Sequence, residues 1–116
     1  MDRDVYVDWG KEPPALRQTR LAELQRIVER LKQLGAVRVL LFGSRASGEP
    51  HRNSDFDLLV VMDEPPPGSF PERLRAVYES VRPRIPTDIL VYTKAELAGF
   101  DSASMVGQAV RHGRER

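Results

Sequence analysis

The chain contains no cysteine. That excludes a disulfide scaffold, a thiolate zinc site and a cysteine nucleophile. Only 2 histidines are present, His51 and His112, too few for a multi-histidine metal centre. Charge of either sign is not in excess: 18 basic and 17 acidic residues leave a formal +1 at neutral pH. Duplex binding driven by bulk charge is therefore not expected. Apolar runs are short, and none approaches the ~20 residues of a membrane span. The first residues show neither the apolar core nor the small-residue cleavage site of a secretory signal. The expectation is a cytoplasmic protein with no membrane contact. With 116 residues there is material for one domain. A pocket that needs a second domain would have to be completed by a partner.

What is present has clear periodicity. Residues 1–12 carry carboxylates and a tryptophan but no helical period, and read as an irregular segment. Pro13-Pro14 then suits a first helical turn. Leu16, Leu21, Leu24, Ile27, Val28, Leu31 and Leu34 form a 3.6-residue stripe that predicts a helix over 15–34, closed by Gly35. Residues 37–42 and 56–62 are rich in β-formers and too short for helices, so they predict strands, with a Gly/Ser-containing loop between. The second run turns continuously apolar after Leu58, as in a strand buried on both faces. A proline-rich loop precedes a helix over 71–81, in which Leu74, Val77, Tyr78 and Val81 share a face. Residues 87–92 predict a third strand. Thr93 and Glu96 have capping-box spacing and open a short helix to about residue 100. A last helix is expected over 102–112, followed by a polar end. Three strands with helices on one side read as a small α+β or α/β sheet domain.

The chemistry-bearing residues stand at the ends of these strands. Asp55 and Asp57 are two apart, so on a strand their side chains share a face about 6.5–7 Å apart. Carboxylates held that way repel unless a cation lies between them. Mg²⁺ prefers oxygen ligands and suits one or two carboxylates together with substrate phosphates. Asp88, at the start of the third strand, reaches the same face if the second and third strands are neighbours. Three carboxylates and two metal ions about 3.5–4 Å apart form a site for in-line phosphoryl or nucleotidyl transfer. Gly43-Ser44 ends the first strand, where backbone amides can approach a phosphate. Arg45 and Arg52 offer charge to a triphosphate. Taken singly, each feature also fits an ordinary role: a solvated strand end for the Asp pair, a turn for Gly-Ser or for Asp88.

Jointly, Gly43-Ser44 followed after residues 45–54 by Asp55-Phe56-Asp57 resembles the signature of the minimal nucleotidyltransferases, a branch of the DNA polymerase β-like superfamily. Val39-Leu40-Leu41-Phe42-Gly43-Ser44 resembles the family's strand and turn, and Gly48 stands where a second glycine is frequent. Thr87-Asp88-Ile89-Leu90-Val91 resembles the strand that bears its third carboxylate. The resemblance spans residues 15–112. It implies a polymerase β-like α+β fold, a small mixed β-sheet with helices packed mainly on one face, over residues 13–116. It implies ATP as substrate, with Gly43, Ser44 and Arg45 on the nucleotide and Asp55, Asp57 and Asp88 on two Mg²⁺ ions. It further implies a role as antitoxin to a small helical HEPN-type toxin, carried out by transferring AMP to a hydroxyl of that partner, a tyrosine in related pairs. Two alternatives differ in class: a module that masks the toxin without chemistry, and an enzyme acting on a small hydroxylated molecule. The oligomeric state, self-association included, is left open.

Overall fold

A computed structural model describes residues 13–42 and 55–116. In chain order these form α1 (Pro14–Gln33), β1 (Ala36–Phe42), β2 (Phe56–Met62), α2 (Phe70–Val81), β3 (Thr87–Tyr92), α3 (Lys94–Ala98), α4 (Met105–His112) and β4 (Arg114–Glu115). Among the described residues, no helix is long and apolar enough to cross a membrane.

The leucine stripe of α1 does what its spacing predicts. Leu24, Ile27, Val28 and Leu31 are all buried. Helix and following strand are joined at Gly35, whose φ of +108° is a backbone conformation that side chains resist. The strands order as β3-β2-β1-β4, a mixed sheet. β1 runs antiparallel to β2, with Leu41 opposite Leu58 and Phe42 opposite Asp57. β2 and β3 are parallel, with Asp57 level with Asp88 and Leu58 with Ile89. All of β2 is buried, which accounts for its unbroken apolar run.

The two faces of the sheet are covered differently. Val39, Leu41, Phe56, Leu58, Val60, Ile89 and Val91 point to the face packed by α1 and α2. The alternate residues Leu40, Phe42 and Leu59 pack against Val106 and Ala109 of α4. The longer helices thus lie on one face, as the α+β expectation has it, and a shorter helix covers part of the other. A second difference from the sequence reading is β4. Residues 114–115 pair with Leu40 and Leu41 of β1, although they lie in what reads as a polar end. Two residues are too few to show a period, and the pairing is made by backbone groups. The final helix begins at Met105 rather than 102 because Ser104 caps it, its hydroxyl accepting from the Gly107 N–H at 3.0 Å. A Cβ at Gly107 would collide with the Asp101 carbonyl oxygen, so the turn into α4 requires glycine there.

Candidate active site

Site geometry follows from the register of β2 and β3. Asp57 is the second residue of β2 and Asp88 the second of β3, paired across the parallel ladder. Residues paired this way project from the same face of strands ~4.8 Å apart. Asp57 is almost shut from solvent, at 1% exposure, whereas Asp88 is exposed. Phe42, the register partner of Asp57 on its other side, is 7% exposed, so β1 also ends at this carboxylate edge. One carboxylate is therefore buried and the other opens outward.

Asp55 is placed differently. It sits in a bend ahead of β2, where the two-residue alternation of a strand does not apply. Its N–H donates to the Pro86 carbonyl at 2.8 Å, extending the β2–β3 seam by one bond. Its carboxylate forms an ion pair with Arg20 of α1, the helix on the opposite face. Among the described residues, no three Asp, Glu or His side chains are grouped closely enough to hold a metal ion. The structure brings together Asp57 and Asp88 and ties Asp55 to Arg20. Gly43, Ser44, Arg45 and Arg52 lie outside the described residues, as does the 1–12 segment.

Two side chains at this edge carry no signal in the sequence. Arg20 is one: a cation on a helix 35 positions away in the chain has no spacing that ties it to Asp55. Tyr78 is the other. It reads as part of the apolar face of α2, and its ring does pack at the margin of the core. Its hydroxyl, however, donates to the Thr87 carbonyl at 2.9 Å and accepts from the Ile89 N–H at 2.7 Å. Burial pushes this phenol above its ordinary value of 10.0; the Ile89 N–H opposes the shift, and the charges of Asp88 and Asp57 add to it. The phenol thus stays protonated at neutral pH and remains a donor.

The donor set fits a hard cation. Two carboxylates level with one another, one of them removed from water, repel in the absence of positive charge and offer only oxygen atoms. Mg²⁺ keeps part of its shell for substrate phosphates, so a protein contribution of two carboxylates is sufficient.

Comparison with known families agrees with this arrangement. The nucleotidyltransferase domain family matches residues 23–110. This chain belongs to the nucleotidyltransferase domain family. That span takes in β1, β2, β3 and both aspartates of the level pair. No curated protein matches the chain. Membership in the nucleotidyltransferase family makes the chain a transferase of nucleotidyl groups, and the fold is the small α+β sheet domain expected.

Proposed function

We propose that this nucleotidyltransferase moves AMP from ATP to a hydroxyl, a tyrosine by preference, of a small helical HEPN-type toxin, and so acts as its antitoxin in the cytoplasm. The observation that carries the reading is the level pair Asp57–Asp88 at the edge of a nucleotidyltransferase sheet. Asp57 and Asp88 would hold Mg²⁺, joined by Asp55 when Arg20 releases it. Bound Mg²⁺ supplies charge neutralisation at the α-phosphate and the pyrophosphate leaving group. Gly43 and Ser44 would cradle the β- and γ-phosphates, with Arg45 beside them. Asp88 is the exposed member of the pair and meets the acceptor first. It takes the proton of the hydroxyl as oxygen bonds to the α-phosphorus and the bond to pyrophosphate breaks.

The test is the intact mass of the adjacent gene's product after incubation with this protein, Mg²⁺ and ATP. A gain of AMP units, absent with Asp57→Asn in a folded protein, is the expected result. A stable complex without mass gain would replace chemistry by masking. Neither complex nor mass gain, with AMP transfer to small hydroxylated compounds instead, would overturn the protein acceptor.

A further inference from the structure

Among the described residues β3 is an edge strand, hydrogen-bonded to β2 on one side. Backbone groups of alternate residues face opposite edges of a strand. The Pro86 carbonyl accepts from the Asp55 N–H on the β2 side and the Val91 carbonyl accepts from Arg73 of α2 on the other, so by alternation Asp88 turns its polar groups to β2, and Thr87 and Ile89 turn theirs to the outer edge. There the single oxygen of Tyr78 satisfies both, donating to Thr87 and accepting from Ile89. A phenol can do this because it is donor and acceptor at once. The bridge spans one residue, and that residue is Asp88. Backbone on either side of the exposed carboxylate is thereby fixed to α2 beside Val77, which is buried in the core.

We propose that Tyr78 is a positioning residue for nucleotidyl transfer: its hydroxyl replaces the missing neighbour strand at Asp88 and holds that carboxylate level with Asp57. The inference rests on the reading of Asp88 as a metal-holding carboxylate. The alternative is a tyrosine that only protects a strand edge and contributes stability. The two differ in consequence, because edge protection has no reason to act on metal affinity. Two other polar pairs among the described residues tie helices together away from Asp88. The Glu23–Arg26 pair joins α1 to the end of α2, and the Arg73–Glu96 pair joins α2 to α3.

The experiment compares Tyr78→Phe, which keeps the ring and removes the hydroxyl, with Val81→Ala, which loosens the same helix without touching the bridge. Three quantities are read: melting temperature, Mn²⁺ binding to the free protein by electron paramagnetic resonance, and kcat and KM for ATP in AMP transfer. Tyr78→Phe is expected to weaken Mn²⁺ binding and lower kcat by about 10-fold, at the low end for a partner that orients a ligating group, with KM for ATP nearly unchanged. Val81→Ala is expected to lower the melting temperature more and to leave Mn²⁺ affinity and kcat as they were. Wild-type Mn²⁺ affinity and kcat in Tyr78→Phe would overturn the inference, as would equal losses in Val81→Ala. Asp88→Asn separates the two levels. If it abolishes Mn²⁺ binding while Tyr78→Phe behaves as wild type, only the role of Tyr78 fails. If Asp88→Asn itself binds Mn²⁺ and transfers AMP normally, the reading of the site fails with it.

Discussion

The two faces of this sheet are built for different ends. One is filled by α1 and α2, with Leu24, Ile27, Leu31, Phe56 and Leu58 at 0% exposure. The other is covered in its middle by α4, with Leu90 and Tyr92 left partly open, and ends in a buried and an exposed carboxylate. A charged pair in register costs stability unless a cation or a bound substrate compensates it. Concentrating hydrophobic burial on the opposite face offsets that cost and leaves the carboxylate face free to be shaped by substrate. Parity divides the strand accordingly: Phe56, Leu58 and Val60 of β2 pack under α1 and α2, while Leu59 packs against α4 and Asp57 stands at the carboxylate end.

The largest expected effect breaks this comparison at its centre. Leu58 and Leu59 are adjacent, chemically identical and both at 0% exposure, but they point to opposite faces. Truncation leaves a cavity whose cost depends on how far its walls can close. Leu58→Ala opens a cavity in the core packed by α1 and α2 and is expected to cost about 3–4 kcal/mol. Leu59→Ala faces one short helix that can settle inward, and about 2–3 kcal/mol is expected. Urea unfolding of the two variants measures the difference. Equal losses, or a larger loss at Leu59, would show that the faces share the load.

Next in size is the electrostatic tie within the core face. Glu23 is 7% exposed and accepts two bonds from the Arg26 guanidinium at 2.8 Å and one from the Arg84 N–H at 2.6 Å. Arg26 also donates to the carbonyls of Val81 and Arg82, closing the end of α2. The Arg26 bond holds the Glu23 carboxyl below its ordinary 4.5, against the opposing effect of burial. A group whose folded value is depressed stabilises above its unfolded value, and that contribution is lost as pH falls through the folded one. Glu23→Gln is expected to be about 1–2 kcal/mol less stable than wild type at pH 7. The gap in melting temperature should narrow below about pH 4.5, as the wild-type carboxyl takes up its proton. A gap that stays constant from pH 7 to strong acid would mean that shape, not charge, is what Glu23 contributes.

The sequence was most informative where one residue type repeats at a structural period. The stripe of α1, the unbroken run of β2 and the Thr93–Glu96 capping box all appear within a residue or two of their expected places. Nucleotidyltransferase membership was legible from the spacing of Gly43-Ser44 and the aspartates. What escaped has a common cause: it depends on contacts between distant positions. β4 is two backbone pairs without a period. Asp55 lies in a bend before β2 and is ion-paired with Arg20 of α1, far from it in the chain. Tyr78 combines an apolar ring that fits a helix stripe with a hydroxyl whose partners lie in β3. Periodicity reports the ring and is silent about the hydroxyl.

The smallest expected effect compares the same motif on the two faces. Ser69 and Thr93 each open a helix with a complete capping box, their hydroxyls accepting from Glu72 and Glu96 N–H groups at 3.2 and 3.1 Å. Local geometry is nearly the same, so an isolated helix would lose a similar amount from either truncation. The surroundings differ. α2 delivers Val77 and Val81 to the core, whereas α3 has no buried residue. Fraying of α2 therefore propagates into the unit that unfolds cooperatively, and fraying of α3 remains local. Ser69→Ala is expected to lower the global unfolding free energy by about 1 kcal/mol. Thr93→Ala should lower it by less than about 0.5 kcal/mol, because part of α3 can open before the core does. If denaturant unfolding finds the two losses equal, α3 belongs to the cooperative unit, and the carboxylate face is held more firmly than its thin cover suggests.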